Sequence, residues 1–470
     1  MIKIINIDEI MKKKFFFIFL ISFFSSSLLT FYINLNFNLL DENYGSLDYI
    51  GPALILNNTS SINDFFYSLS SRMPTYPLLI SFLFKIFGNN NYLSILLFQC
   101  FLHSITTVIL LKTVQLFTKK FFLISFCLIA FNPNMFWHTS IILPETLFIF
   151  FISIGLYFFI CIFKKEFLLK NVFLSSVFFG FAYITKPSAI YFPYVLFLFI
   201  LFFTYFKQKI LLPKCIMLSL IPLIISFFLA SPIYYFNYLN TNKITYSYQK
   251  GGHLLQYVYP CLSKKWGCGS RDKEALKKAI KLQEEAFKNN KDLNNKETKL
   301  NKLKKSTIES KIQKEIFYKL LKEDIEKEKI LTSIIGYSSK FMLHTSIIFP
   351  LQKHGISYEE FSYISYGKEN FSLKKYHFFW LLPQFFLIFL RFIQFFSLKG
   401  ILTYDRKNMW PIIFLICINL YFIIVSFGVG NFRYRMPIEP ALSIMTILGI
   451  LKIKKEFKSF FITNNKKKLL

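Results

Sequence analysis

The sequence predicts an all-α polytopic membrane protein of about ten transmembrane helices, with a mostly helical extracytoplasmic region. Three observations carry that reading. Of 470 residues, 54% are hydrophobic and 20% aromatic, including 62 Phe, which is far above the usage of soluble globular chains. The apolar residues fall into runs of roughly 20, the length at which a helix crosses the hydrocarbon core with its backbone satisfied internally. Lysine and arginine collect at alternate ends of these runs, as the positive-inside rule requires.

The runs read 15–34, 92–117, 121–138, 141–163, 171–187, 188–206, 211–235, 377–397, 410–428 and 436–451. The basic start Lys12-Lys13-Lys14 holds the N-terminus in the cytoplasm. Alternation then places Lys119-Lys120, Lys164-Lys165, Lys207 with Lys209, Arg406-Lys407 and Lys452 to Lys468 on the same side. No small-residue cleavage site follows the first run, so it is expected to remain as an anchor. Glu439 falls inside the last run, which is short. A multi-pass protein of a bacterial inner or plasma membrane is the expected setting.

Three parts follow: an N-terminal transmembrane module, 1–235, whose first outer loop is 35–90; an extracytoplasmic region, 236–376; and C-terminal helices with a basic cytoplasmic tail, 377–470. Within the first loop, 76–88 is apolar but too short to span and is expected to lie along the interface. Within the second region, 271–330 holds 18 Lys+Arg and 12 Asp+Glu, and patterns such as Lys273-Glu-Ala-Leu-Lys-Lys-Ala-Ile280 read as polar helix. Residues 288–305 read as a loop. The formal net charge of +30 is spent at span ends and in this block, so it argues for topology and not for nucleic acid. The absence of an internal repeat weighs against inverted-repeat transporters.

Of seven cysteines, Cys100, Cys127, Cys161, Cys215 and Cys417 lie in spans and read as apolar filler. Cys261 and Cys268 lie in the outer region and form a disulfide candidate in an oxidising compartment. Zinc spacing is absent.

Against this background, the ionisable residues on the outer side stand out, because charge near hydrocarbon is costly and is kept for a ligand or a partner. They are Asp48, Arg72, Glu145, Lys186, Arg433 and Arg435. Each adjoins Pro or Tyr at the mouth of an apolar run. The stretches are Leu47-Asp-Tyr49, Arg72-Met-Pro-Thr-Tyr-Pro77, Pro144-Glu-Thr-Leu-Phe148, Gly180-Phe-Ala-Tyr-Ile-Thr-Lys-Pro187 and Arg433-Tyr-Arg-Met-Pro-Ile-Glu-Pro440. Taken singly, Asp48 reads as a solvated carboxylate, while Arg72 and Lys186 read as headgroup anchors. Taken together, carboxylates and cations on one membrane face suit an anionic, lipid-borne substrate.

In their order and membrane side, these five stretches resemble the GT-C membrane glycosyltransferases. The resemblance is to the branch of protein O-mannosyltransferases and bacterial aminoarabinose transferases of lipid A. It runs through most of 15–210 and again through 376–451; the block 236–375 matches only in position and size. Relatives often carry Arg where Lys186 stands, and many have two acidic residues in the first loop where this chain has Gly45 and Asp48.

What the resemblance implies is a mannosyltransferase-like enzyme of the cell envelope. It would move a sugar from a polyprenyl-phosphate donor to a lipid, glycan or protein acceptor, in one inverting displacement on the extracytoplasmic face. Asp48 would be the base, with Asp41 and Glu42 as rivals. Arg72, Tyr76, Lys186, Arg433 and Arg435 would hold the lipid phosphate. Glu145 would orient the acceptor, pair with Lys186, or join Asp48 in holding a divalent metal; no other cofactor is expected. A lipid or solute transporter, or an oligosaccharide ligase or polymerase, is the competing reading.

Overall fold

The computed structural model describes residues 7–37, 46–69, 72–120, 122–163, 168–248, 250–263, 273–290, 293, 302–343, 377–402, 409–427 and 435–467. Every regular element among them is helical. Six stretches are long and apolar enough to cross a membrane: Lys13–Leu35, Tyr92–Gln115, Glu145–Ile162, Pro187–Lys207, Leu212–Thr241 and Met436–Lys454. Shorter apolar helices occupy Thr75–Phe87, Leu168–Tyr183, Phe385–Leu398 and Met409–Val425. The chain is an all-α polytopic membrane protein, as its apolar runs predict.

The first helix, α1 (Ile7–Phe37), packs on α5 (Tyr92–Gln115). Between them the first outer loop forms α2 (Leu47–Thr59), α3 (Ile62–Leu69) and α4 (Thr75–Phe87). The last of these occupies the stretch expected to be interfacial. Asn91 caps α5 by accepting from the Ser94 amide at 3.1 Å.

The run 121–138 differs from expectation. It is not one span but α6 (Phe122–Ala130), then α7 (Pro133–Trp137), then a 3-10 turn at His138–Ser140. At about 1.5 Å per residue, neither piece alone crosses the core. The cause is local. Pro133 lacks an amide hydrogen and starts a new helix, while the Asn132 side chain accepts from the Asn134 amide at 3.1 Å as its cap.

Beyond the turn, α8 (Glu145–Ile162), α9 (Leu168–Tyr183), α10 (Phe192–Phe202) and α11 (Leu212–Thr241) form an antiparallel stack, with α8 on α9 and α11 on both α9 and α10. Gly155 gives the Phe179 ring its place between α8 and α9. Phe159 stacks on Phe414 at 3.7 Å, joining α8 to α18 (Met409–Val425). The C-terminal pair, α17 (His377–Leu402) and α19 (Glu439–Lys467), crosses closely where Gly400 meets the Gly449 backbone.

The outer region folds as short helices α12 (Lys250–His253) and α13 (Tyr259–Leu262), followed by α14 (Lys273–Asn289), α15 (Lys302–Asp324) and α16 (Lys327–Leu343). It has its own core of Leu255, Tyr259, Leu262, Ala279, Phe317 and Leu320. Asp324 closes that core, accepting from Lys278 at 2.7 Å and from the Tyr259 hydroxyl at 2.6 Å; both bonds hold its carboxyl below the usual range. Tyr337 of α16 donates to the Ser426 carbonyl at 2.6 Å, tying the region to the end of α18. Helix α15 begins inside the stretch read as a loop, and the greater part of 288–305 lies outside the described residues. Cys261 is disulfide-bonded, and Cys268, its expected partner, lies outside the described residues.

Candidate active site

The residues singled out in the sequence meet at one corner, where the first outer loop docks on the turn between α7 and α8. Asp48 sits in the first turn of α2, and Arg72 stands just ahead of α4. They pair at 2.5 Å with side chains 50% and 28% exposed, so this carboxylate is reachable from solvent. The Arg72 guanidinium also lies over the Tyr49 ring at 5.5 Å.

Behind this exposed pair the corner is built from neutral contacts. Tyr49 meets Tyr76 edge-on at 5.5 Å. The Tyr76 hydroxyl donates to Gln99 at 2.8 Å, and the Gln99 amide donates to the Thr139 and Ile141 carbonyls at 3.1 and 2.8 Å. Ser46 donates to the Ile142 carbonyl at 3.0 Å, and Thr75 to the Ile184 carbonyl at 2.7 Å. The loop is thereby stitched to the ends of α5, α8 and α9 at once. Tyr76, expected at the phosphate, is fully buried as part of that stitching.

Beneath lies a second, buried pair. Glu145 is the first residue of α8, where a helix N-terminus favours a carboxylate. It accepts from Lys186 at 3.1 Å, both side chains being under a tenth exposed. Of the three roles open to Glu145, pairing with Lys186 is the one seen. Lys186 stands in extended backbone between α9 and α10, and its ammonium also faces the Phe148 ring at 6.0 Å. Among the described residues no group of three or more His, Cys, Asp or Glu converges as a metal site. Asp48 and Glu145 each lie against a side-chain cation.

Arg435 takes a different place from the one its motif suggests. It is fully buried, donating to Asn134 at 2.9 Å and lying 3.3 Å from Glu439, four residues on. Glu439 also pairs with Arg391 of α17 and accepts from Asn132 and Asn134 at 3.0 and 2.7 Å. This network joins α17 and α19 to the same 132–145 turn that carries the corner. Gln99, Asn132, Asn134 and Arg391 are contributions that motif reading missed; Glu439 of α19 was visible there only as an irregularity in the last span. Arg433, Asp41 and Glu42 lie outside the described residues.

These features define a polytopic membrane protein with clustered ion pairs where its outer loop meets the spans. Within it, residues 71–236 match the family model described as dolichyl-phosphate-mannose-protein mannosyltransferase. That stretch holds Arg72, Tyr76, Glu145 and Lys186, and over it the resemblance to the GT-C membrane glycosyltransferases is borne out. No curated protein matches the chain.

Solved structures of the oligosaccharyltransferase of Archaeoglobus fulgidus are similar in fold. One, tethered to an acceptor peptide, is 11% identical with a TM-score of 0.49, covering 94% of this chain and 50% of that one. Another, in complex with an inhibitory peptide and a dolichol-phosphate, is 12% identical with a TM-score of 0.48, covering 95% and 52%. A third, with Zn and sulfate, is 13% identical with a TM-score of 0.48, covering 94% and 50%. The chain spans about half the length of these archaeal proteins.

Proposed function

We propose that the chain is an integral-membrane glycosyltransferase. It moves a hexosyl or pentosyl unit from a polyprenyl-phosphate donor to a lipid, glycan or protein acceptor on the extracytoplasmic face. The observation that carries the reading is the Asp48–Arg72 pair, an accessible carboxylate beside a cation, fixed on a loop that is stitched to the Glu145–Lys186 turn. The family match over 71–236 supports the donor class.

Asp48 takes the proton of the acceptor group as that group attacks the anomeric carbon. The bond from that carbon to the phosphate oxygen breaks in the same displacement, so configuration inverts. The lipid phosphate leaves with an added negative charge and needs no protonation. Arg72, at the same position, neutralises that charge. Glu145 and Lys186 set the height and angle of the turn on which this happens, because Thr75 reaches the carbonyl two residues ahead of Lys186.

Purified protein supplied with a synthetic polyprenyl-phosphate sugar tests the reading. Asp48→Asn keeps the shape but removes the proton acceptor, and sugar transfer is expected to fall about 100-fold or more. Normal transfer by this variant would move the base elsewhere. Failure of the wild-type protein to consume any such donor would refute the activity.

A further inference from the structure

Apart from Arg72, which stands with Asp48 where transfer is proposed, the described cations expected at a phosphate are matched within the fold: Lys186 by Glu145 and Arg435 by Glu439. A different set gathers around a cavity of about 1230 Å³ between the ends of α10 and α18 and the outer region. On the membrane side its wall is apolar and aromatic, with Ile190, Tyr191, Ile424 and Val425. Facing that wall are Lys243, Lys250, Lys311 and Lys314.

Among the described residues, Lys311 alone of these pairs with a carboxylate, and it does so loosely at 3.9 Å with Glu315, an exposed residue that also lines the cavity and leaves the lysines in excess there. Lys250 donates to the Tyr191 hydroxyl at 3.3 Å. Burial first, then the nearness of Lys250 and Lys243, holds the Lys314 ammonium below the ordinary lysine range. Cations drawn together beside an apolar wall repel one another, and a bound anion relieves that repulsion. Pro187 and Ser188, the two residues after Lys186, line the same cavity, so it borders the segment that carries Lys186.

We propose that this cavity binds the phosphate monoester of an amphipathic substrate, with Lys243, Lys250 and Lys314 around the phosphate and the apolar chain along Ile190, Ile424 and Val425. Three gathered ammonium groups suit a dianion better than the singly charged phosphodiester of an unreacted donor. Two sources share that chemistry: the lipid phosphate released by transfer, and an acceptor lipid that itself carries a phosphate monoester. The site assignment stands on the cavity; only the choice between these sources rests on the glycosyltransferase reading.

The test is equilibrium binding to the full-length chain in detergent. The probes are farnesyl phosphate, its methyl diester, farnesol, inorganic phosphate, and a glycosyl diacylglycerol bearing a phosphate monoester. At least one monoester lipid is expected to bind at least tenfold more tightly than the diester, farnesol or inorganic phosphate; the tighter monoester identifies the source. The triple variant K243Q/K250Q/K314Q should lose tenfold or more, and the triple Lys→Arg variant should retain binding. The single variant K243Q, altering an exposed side chain, should lose about threefold and serves if the triple variant does not fold. Unchanged binding in K243Q and the triple variant, or equal binding of farnesol, would overturn the proposal. Transfer surviving in D48N would count against the catalytic reading alone, and unchanged binding in the lysine variants against the cavity alone.

Discussion

Replacing Lys186 by Met removes an ammonium 3.1 Å from a carboxylate, with side-chain exposures of only 8% for Lys186 and 1% for Glu145. Breaking a buried pair from one side costs about 3–5 kcal/mol, because the remaining charge stays buried without its partner. At 1.4 kcal/mol per decade, that is roughly two to three and a half orders of magnitude in the unfolding equilibrium. Glu145→Gln combined with Lys186→Met removes both charges and should recover most of the loss, since apolar or neutral replacements of buried pairs are often tolerated. The assay is denaturant unfolding in mixed micelles for the wild type, both single variants and the double variant. A Lys186→Met protein as stable as wild type, or a double variant whose loss equals the sum of the singles, would refute the coupling. Transfer measured on the folded double variant then separates the two roles of Lys186. Restored stability with transfer still depressed means that the ammonium also serves the reaction.

Three further outcomes are expected. Glu439→Gln leaves Arg391 and Arg435 buried without their shared carboxylate and should cost about 3–5 kcal/mol, more than Arg435→Met, as unfolding midpoints of the two variants will reveal. Burial in the cavity wall lowers the His253 pKa from 6.5, so the folded state resists protonation. Its contribution is therefore complete above about pH 6.5 and is lost as pH falls from there toward the folded-state value; melting temperatures from pH 8 to pH 5.5 should show that slope in wild type and less of it in His253→Asn. Reporter fusions after Lys120 and after Lys305 should report opposite sides of the membrane, and agreement between them would overturn the topology.

Much of the fold was legible because hydrocarbon imposes a length and a polarity on each span. The runs at α1, α5, α8, α11 and α19 could be read for that reason. The break at Asn132-Pro133 was legible too, in the missing proline amide and the capping asparagine, but the apolar residues on both sides concealed it. Asp48, Arg72, Glu145 and Lys186 were found because each is an isolated charge beside an apolar run. Pairing of Glu145 with Lys186 was one of the roles the sequence left open; the Asp48–Arg72 pair was not legible, since it depends on how α2 and the approach to α4 fold against each other within the first outer loop. Arg435 and Glu439 stand four residues apart, the spacing of neighbours on a helix, and that spacing signals a pair as readily as a phosphate grip. Lys243, Lys250 and Lys314 left no local signal, because separate segments bring them to one cavity.

The most direct test of the central claim is mass spectrometry of envelope glycolipids, glycans and glycoproteins from cells carrying the wild-type chain or Asp48→Asn. The account predicts that one glycosylated species disappears in the variant while its polyprenyl-phosphate sugar accumulates. Identical spectra, with the variant protein present in the membrane at wild-type level, would contradict it.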